Sequence, residues 1–278
     1  FDRRKKFEVK SQRIDRCLNS ESAPEAPSFE SIYCMFSFSI MFKWFMSSSW
    51  IAWSLIPTIA AVLGTLTTII FVKLLEHFHI LRPEHAIEHT KRQSRSESLQ
   101  KSSVSESEQV KIAAITLLGP SVWLNAFMAA IVLPIAIEDA KNLPLHPSLE
   151  LFAIHFLALH LLGDLFLYAA HRVLHEVHFL WRHFHMCHHE IKTTVAASVG
   201  YIHAVDTTFQ SGIPIVSSAL IVQPHPLTFT WYVYCRVSEN TLNHCGYEHP
   251  LLNLLWAKWL PLRASVGHHD QHHHFGNY

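Results

Sequence analysis

Long apolar stretches, separated by polar segments, set the pattern of this chain. Residues 1–30 are polar and mixed in charge, which predicts a solvated tail. Residues 31–75 predict an interfacial lead-in and a first membrane span, because residues 49–75 (SWIAWSLIPTIAAVLGTLTTIIFVKLL) carry no charge before Lys73. That stretch exceeds the length of about 20 apolar residues that a spanning helix requires.

Two more spans are predicted after a polar interruption. Residues 76–111 contain the serine-rich and charged stretch 90–109, which predicts a flexible cytoplasmic loop. Residues 112–170 predict a transmembrane hairpin, with one span at about 112–137, a short link, and another span from Leu149 to Ala170. The basic residues of the loop place it, and the segment after Ala170, on the cytoplasmic side by the positive-inside rule.

The remaining residues, 171–278, combine most of the histidines with a proline-broken apolar stretch. The apolar stretch at about 208–236 predicts a membrane hairpin or a pair of short spans. No alternating β pattern is visible. The predicted fold is therefore an all-α integral membrane protein, with three to four transmembrane helices or hairpins capped by a cytoplasmic histidine-rich helical region.

Composition agrees with this interpretation. Of the 278 residues, 49% are hydrophobic and 16% charged, and the mean hydropathy is +0.15, which favours a membrane protein. The 22 basic and 22 acidic residues balance, so charge gives no reason to expect a nucleic-acid partner. The five cysteines are scattered without a CxxC pair, which fits a reducing compartment. We expect both ends to be truncated, so that terminal signals are not readable.

The stretch DLFLYAAHRVLH places four polar side chains on one helical face at the end of the third predicted span. Asp164, Tyr168, His171 and His175 follow one another at steps of four, three and four residues. The spacing of the two histidines allows their imidazoles to bind one metal ion. Asp164 lies at membrane depth, where a carboxylate needs a partner, and we expect it to accept a hydrogen bond from an imidazole. The alternative for this stretch alone is a helix end with interfacial histidines.

Two HxxHH motifs follow, HMCHH and HDQHH, with NHCGYEH between them. Their histidines are His185, His188 and His189, then His244 and His249, and finally His269, His272 and His273. Two such motifs would arise by chance in roughly one sequence of this histidine content in a hundred. The set exceeds what one four-coordinate zinc ion uses, so it predicts two metal ions close together. Imidazole alone does not select among Zn, Fe, Cu and Ni, and the lack of HExxH disfavours a zincin-type protease.

These stretches, with YIHAVD and GHHDQHHHFGNY, resemble in order and spacing the fatty acid hydroxylase/sterol desaturase superfamily from about residue 150 to the end. The combination of HxGY and HHDxHH is most similar to the branch of C-4 methylsterol oxidases and cholesterol 25-hydroxylases. The resemblance implies a membrane-bound non-haem diiron monooxygenase that hydroxylates or oxidises a lipid C–H bond, most often in sterol metabolism. It also implies an endoplasmic reticulum membrane protein with its active site on the cytoplasmic side.

The resemblance implies a set of site residues as well. The expected iron ligands are His171, His175, His185, His188, His189, His244, His269, His272 and His273, with His249 and His268 as further possible ligands. The residues expected to orient them are Asp164, Tyr168, Glu190, Asp206 and Asp270. No catalytic residue is expected beyond the ligands. The implied cofactors are two iron ions with O2 as co-substrate, and electrons come from external NAD(P)H through cytochrome b5 or its reductase.

Two alternatives remain at this point. Within the same chemistry, the substrate could be a sphingoid base or a fatty acyl chain, with hydroxylation or desaturation as the outcome. In another class, the protein could transport or buffer metal in the membrane. The second alternative predicts a histidine-rich loop, and residues 90–109 contain no histidine.

Overall fold

The computed structural model describes residues 51–87, 111, 114–115, 118–136, 143–191, 194–258 and 263–275. These residues form helices joined by turns, and the one β-type pairing among them is a bridge between Ala86 and Tyr247. The predicted all-α fold is confirmed. The expected tail at residues 1–30, the interfacial lead-in and the loop at 90–109 lie outside the described residues.

Helix α1 covers Ile56–His77 and continues a π-helical turn at Ile51–Leu55. Its second residue is Pro57, which the first turn of a helix tolerates because the amide there has no intrahelical acceptor. The combined segment Ile51–His77 is 27 residues long and apolar enough to cross a membrane. It ends where His79 takes a positive φ of 55°. The described part of the first predicted span is therefore helical from Ile51, and the helix ends two residues beyond the predicted end at residue 75.

Helix α2 covers Pro120–Ala136, and helix α3 covers Leu149–Glu176. The 17 residues of α2 lie within the span predicted at about 112–137, and residues 111, 114–115 and 118 before it are also helical. Helix α3 begins at the predicted residue, where the Ser148 side chain accepts a hydrogen bond from the Leu151 amide at 3.2 Å. Its 28 residues extend past Ala170 and carry His171 and His175 on the same continuous helix. Helix α3 is thus both a candidate membrane span and the first support of the histidines.

The proline-broken stretch folds as a helical hairpin. A short helix at Ala204–Thr207 and a π-helical turn at Thr208–Gly212 lead into α4, which covers Ile213–Val222. Gln223 then adopts a left-handed conformation, and α5 covers Pro226–Asn243. The first arm, Ala204–Val222, is the third helical segment long and apolar enough to span. Two helices complete the described chain, α6 at Pro250–Leu255 and α7 at Val266–Phe275.

Helices α1, α3 and α5 run parallel, so their carboxyl ends meet at one end of the molecule. Trp53 packs on Phe229 with ring centroids 5.7 Å apart, and further along the Ser238 hydroxyl donates to the Gly64 carbonyl at 3.2 Å. Gly64 permits this close approach, because a Cβ there would lie 2.7 Å from the Tyr234 carbonyl oxygen. One apolar core surrounds Trp53 and Phe229. A second core lies at the carboxyl ends and supports the histidines; it includes Val72, Leu75, Leu242, Leu252 and Val266.

Candidate metal centre

Nine buried or half-buried histidines converge at the carboxyl ends of α3 and α5. The ligand atoms within each of two groups all lie within 4.8 Å of one another. The five-histidine group consists of His171, His175, His185, His189 and His272, and the four-histidine group consists of His188, His244, His269 and His273. The two groups are neighbours, since the ring centroids of His189 and His273 are 4.6 Å apart.

The five-histidine group has the dimensions of a coordination shell. The Nε2 atom of His185 lies 3.1 Å from that of His171, 2.9 Å from that of His175 and 3.1 Å from that of His189. Metal–imidazole bonds of about 2.0–2.1 Å place adjacent ligand nitrogens about 2.8–3.4 Å apart, depending on the coordination geometry. These side chains therefore fit a single ion without rearrangement of the backbone.

The four-histidine group has similar spacing and a fixed tautomer at two positions. His244 Nε2 lies 3.4 Å from His188 Nε2 and 3.1 Å from His269 Nε2. The Nδ1–H of His244 donates to the Asn240 carbonyl at 2.8 Å, and that of His188 donates to the Tyr201 carbonyl at 3.3 Å. A carbonyl only accepts, so the proton sits on Nδ1 and the Nε2 lone pair faces the group.

The two HxxHH motifs serve the two groups in opposite ways. In the first motif, His185 and His189 join the five-histidine group and His188 joins the other. In the second, His269 and His273 join the four-histidine group, and His272 crosses to the first. In each motif, the outer two histidines, four residues apart, lie at one ion position and the middle histidine lies at the neighbouring position. Each ion position therefore takes ligands from both motifs, which explains why the motif occurs twice.

Burial favours the neutral form of five of these imidazoles. It lowers the pKa of His188, His269 and His273 well below the ordinary value, and neighbouring imidazoles lower it further. The same causes lower the pKa of His189 to about 2. Burial also lowers the pKa of His244 to about 4, against the opposing effect of the Asn240 carbonyl. A neutral imidazole retains the lone pair that binds a metal, so the protonation state suits ligation.

Asp206 supports the five-histidine group through a hydrogen bond to His185. Its carboxylate accepts from His185 Nδ1 at 2.8 Å, and neither side chain has exposed surface. Gln210 lies one helical turn further on, and its amide donates to the other Asp206 oxygen at 2.7 Å. Sequence reasoning did not identify Gln210. Its position four residues after a candidate carboxylate was the available signal, because such residues share a helical face.

The other carboxylates and the tyrosine predicted near the site lie at its margin. Glu190 accepts from the Tyr201 hydroxyl at 2.8 Å. Asp270 is buried on α7 and accepts from the Thr194 hydroxyl at 3.2 Å. Tyr168 is half exposed on α3, and its hydroxyl accepts from Arg172 at 2.9 Å. These residues contact the segments that carry the histidines.

Asp164 differs from its prediction, because its partners are cations and not an imidazole. Its carboxylate lies 2.5 Å from Arg236 and 3.6 Å from Arg263. Both arginines also pair with Glu239, which accepts from the nearly buried Lys258 at 2.6 Å. We call these five residues the ion cluster. Three cations outnumber two carboxylates here, so a guanidinium and not a histidine satisfies the charge of Asp164.

His249 and His268 lie outside both groups. His249 precedes α6, and its Nδ1 accepts from the Leu251 amide at 3.1 Å, as a helix-capping residue does. Its ring contacts that of His85, with centroids 4.5 Å apart. His268 is exposed on α7, and its amide donates to the Ser265 hydroxyl. The structure therefore brings nine of the eleven candidate histidines together.

A cavity of about 180 Å³ opens beside the four-histidine group. Its wall is formed by α1, α2, α4 and α5 and by the segment at residues 199–212. Among the described histidines, His188 alone lines this cavity. An apolar molecule held between the membrane helices would therefore reach one of the two ion positions directly.

Comparison with known proteins gives consistent matches. Residues 156–278 match the family model described as fatty acid hydroxylase. Methylsterol monooxygenase 2-2 of Arabidopsis thaliana is 30% identical over 174 residues, which are 60% of this chain and 62% of that protein. Methylsterol monooxygenase 2-1 of the same plant is 30% identical over 192 residues, 64% of this chain and 70% of that protein.

A third similar protein carries a different activity in its name. Very-long-chain aldehyde decarbonylase GL1-11 of Oryza sativa is 33% identical over 135 residues, and the match covers 48% of each chain. The chain thus spans about half to two thirds of the length of these relatives. No solved structure gives a significant match.

Proposed function

The chain belongs to the fatty acid hydroxylase family, and from this premise we propose that it is a membrane oxidoreductase, a diiron monooxygenase that uses O2 to oxidise a lipid C–H bond. The observation that carries the proposal is the pair of histidine groups at the carboxyl ends of membrane-spanning helices, beside an apolar cavity. A structural zinc site would use four ligands, whereas nine imidazoles in two adjacent groups fit two ions.

The reaction consumes one O2 for each C–H bond that is hydroxylated. One oxygen atom enters the C–H bond as a hydroxyl group, and the other leaves as water after uptake of two electrons and two protons from an external donor. Bound iron would supply the reductive activation of O2 that this chemistry requires. The protein fixes the positions of the imidazoles and keeps the cavity free of bulk water.

Hydrogen bonds from the chain hold protons away from the ion positions. Asp206 holds the His185 proton on Nδ1, and the Asn240 carbonyl holds the His244 proton on Nδ1. The Nε2 lone pairs of these residues therefore point inward. The apolar side chains of Trp53, Val216 and Phe229 line the cavity, so that a hydrocarbon enters it without loss of favourable contacts.

The proposed substrate is a sterol, supported by the similarity to two methylsterol monooxygenases. A sphingoid base or a fatty acyl chain is the alternative within the same chemistry. We further propose that the protein lies in the endoplasmic reticulum membrane with its centre on the cytoplasmic side. Electrons would then come from NAD(P)H through cytochrome b5 or its reductase, as in the family that the motifs resemble.

Replacement of His272 by alanine tests the proposal. His272 Nε2 lies 3.2 Å from that of His171, within the five-histidine group. We expect His272→Ala to insert into membranes, to lose product formation, and to bind about one iron ion per chain less than the unaltered protein. The measurements are elemental analysis of the purified full chain and mass spectrometry of lipids from cells that express it.

His183→Ala is the matched control, because His183 is an exposed histidine in the turn that carries His185 and lies outside both groups. It should retain iron and product. Undiminished iron content and turnover in His272→Ala would remove the ligand assignment. Full iron binding with no lipid oxidation in the unaltered protein, supplied with reductant, would remove the activity and leave the metal site.

A further inference from the structure

Trp181 packs against three side chains of the five-histidine group. Its ring centroid lies 4.8 Å from that of His175, 5.6 Å from that of His185 and 5.2 Å from that of His189. Centroid separations of about 4.5–7 Å are those of aromatic rings in contact. The indole N–H only donates hydrogen bonds, so Trp181 cannot bind a metal ion itself and acts on the ion position through these imidazoles.

A π-helical turn at Trp181–His185 places the indole beside the ligands. The Met186 amide donates to the Trp181 carbonyl at 2.8 Å, which is the i to i+5 bond of such a turn. Single π-helical turns are rare and frequently lie at functional sites. Trp181, His185 and His189 follow one another at steps of four residues, and this turn keeps their rings in contact.

Trp181 also reaches the surface of the protein. It is half-buried, whereas His185 and His189 beneath it are buried. Phe179 and Arg182, its neighbours along the chain, are exposed. A continuous path of aromatic rings therefore leads from the surface of the protein through the indole to the ligands of the five-histidine group.

The cavity meets the metal centre at the other ion position. His188, which lines the cavity, belongs to the four-histidine group, and Trp181 is not among the cavity-lining residues. The four-histidine group also approaches the surface, at the half-buried His269. The ring contacts of His269 within the described part of the chain are with imidazoles, and no indole covers it. The lipid thus has access to one ion position and the indole contacts the ligands of the other.

We propose that Trp181 is the route by which electrons reach the metal centre, through the three imidazoles that it contacts. This inference rests on the proposed function, which requires an external electron donor, and it adds the point at which those electrons arrive. The donor is a haem-containing one-electron carrier such as reduced cytochrome b5. Its haem iron is oxidised by one electron while one ferric ion of the centre becomes ferrous, so two donors supply the two electrons of each turnover. The indole undergoes no net change.

Electronic coupling explains why a ring at this position matters. Coupling between a donor and an acceptor falls steeply with distance, and it falls less steeply through bonded or contacting π systems than across a gap. Trp181 replaces such a gap, because it contacts three imidazoles on one side and is accessible from outside on the other. An aliphatic side chain there would cover the ligands as well but would not provide the π system.

The rate at which bound ferric iron is reduced tests this route without any lipid oxidation. The purified full chain, loaded with ferric iron, is mixed anaerobically with reduced cytochrome b5, and the absorbance of the haem follows the transfer. We expect Trp181→Leu to retain iron and to slow the transfer by about tenfold, the lower end of the range for groups that contact metal ligands. Trp181→Phe, which keeps an aromatic ring at a size close to that of leucine, should keep most of the rate.

Trp256→Leu is the matched control, because Trp256 is also a half-buried tryptophan but stacks on Phe71, with centroids 5.8 Å apart. It should retain both the iron and the rate. The midpoint potential of the iron should agree between Trp181→Leu and Trp181→Phe, since both variants lose the same indole cover. Equal rates in these two variants, or a fall in potential that accounts for the slower transfer in Trp181→Leu, would overturn the route.

Fluorescence gives a second measurement that leaves every ligand in place. Iron loading should quench the emission of Trp181, because its ring contacts three side chains of the ion position. The loss of emission on loading should therefore be smaller in Trp181→Phe than in Trp256→Phe. Equal losses in the two variants would overturn the coupling of Trp181 to the metal.

Failure of this inference and failure of the proposed function give different results. Lipid oxidation, together with equally rapid reduction of Trp181→Leu and the unaltered protein, would overturn the route and leave the activity in place. Reduction that depends on Trp181, with no lipid oxidation in the unaltered protein, would remove the proposed function and leave the route for electrons.

Discussion

Asp206 and His185 make a hydrogen bond of 2.8 Å between two side chains that have no exposed surface. The carboxylate orients the imidazole and raises the basicity of its Nε2, which points into the five-histidine group. We expect Asp206→Asn to lower iron affinity by about 10–100-fold. Iron retention against increasing chelator measures this change. Glu190→Gln, a carboxylate change at the exposed margin, should retain iron as the unaltered protein does, and equal retention in both variants would contradict the role of Asp206.

Residue spacing predicted that these histidines converge, but it did not predict how they divide between the two groups. The i, i+4 pair of His171 and His175 lies in one group, as a regular helix requires. His188 and His189 are adjacent in sequence yet belong to different groups, as His272 and His273 on α7 do, because consecutive residues of a helical segment point in directions about 100° apart. Which direction meets which ion position depends on tertiary packing, and no sequence period reports it. Asp164 shows the same limit, since its partner Arg236 is 72 residues away.

At the scale of elements, the ion cluster joins three parts of the chain to the metal centre. Arg236 and Glu239 belong to α5, Asp164 belongs to α3, and Lys258 and Arg263 lie in the segment between α6 and α7. Helix α7 carries the second HxxHH motif and begins three residues after Arg263, so the ion cluster anchors the segment that leads into it. Hydropathy predicted the helices but not this junction, because charge pairs between distant segments leave no periodic signal.

Glu239→Gln is expected to destabilise the protein by about 3–5 kcal/mol, the usual cost of removing one partner from a buried ion pair. Thermal unfolding in detergent at pH 7 measures the loss. Glu176→Gln is the matched control, because Glu176 pairs with Arg172 on the exposed surface of α3, where solvent screens the ion pair and leaves it little effect on stability. An equal effect of the two substitutions would contradict the structural importance of the ion cluster.

The effect of Glu239→Gln should also depend on pH. Burial alone would raise the pKa of Glu239, but the charges of Arg236, Lys258 and Arg263 outweigh it and lower the pKa to about 2. A carboxyl group with a depressed pKa contributes its full stability above its ordinary pKa of 4.5 and loses it as the pH falls toward 2. The difference in melting temperature between the unaltered protein and the variant should therefore narrow below about pH 4.5. A constant difference down to pH 3 would contradict the assignment.

At the scale of the whole molecule, a bilayer takes the place of water around the helices. In α3, 11% of the apolar stretch that could cross a membrane is buried inside the protein, and the outward face of the helix carries large apolar side chains. In an aqueous protein such a surface would mark an interface, whereas in a membrane it is the ordinary boundary with lipid. The sequence predicted α3 as a span from hydropathy alone. It did not predict which face packs inward, because lipid-facing and core-facing positions are equally apolar.

Two leucines on α3 distinguish its core-facing side from its lipid-facing side. Leu159 is fully buried against the core around Phe229, whereas the Leu157 side chain is 58% exposed. Leu159→Ala should therefore cost about 2–5 kcal/mol through lost contacts and a residual cavity. Leu157→Ala should cost less than about 0.5 kcal/mol, because lipid replaces the removed atoms. Thermal unfolding of both variants in the same lipid–detergent mixture measures the contrast. A comparable loss in Leu157→Ala would mean that protein and not lipid covers this face, and a second copy of the chain would then be its nearest candidate.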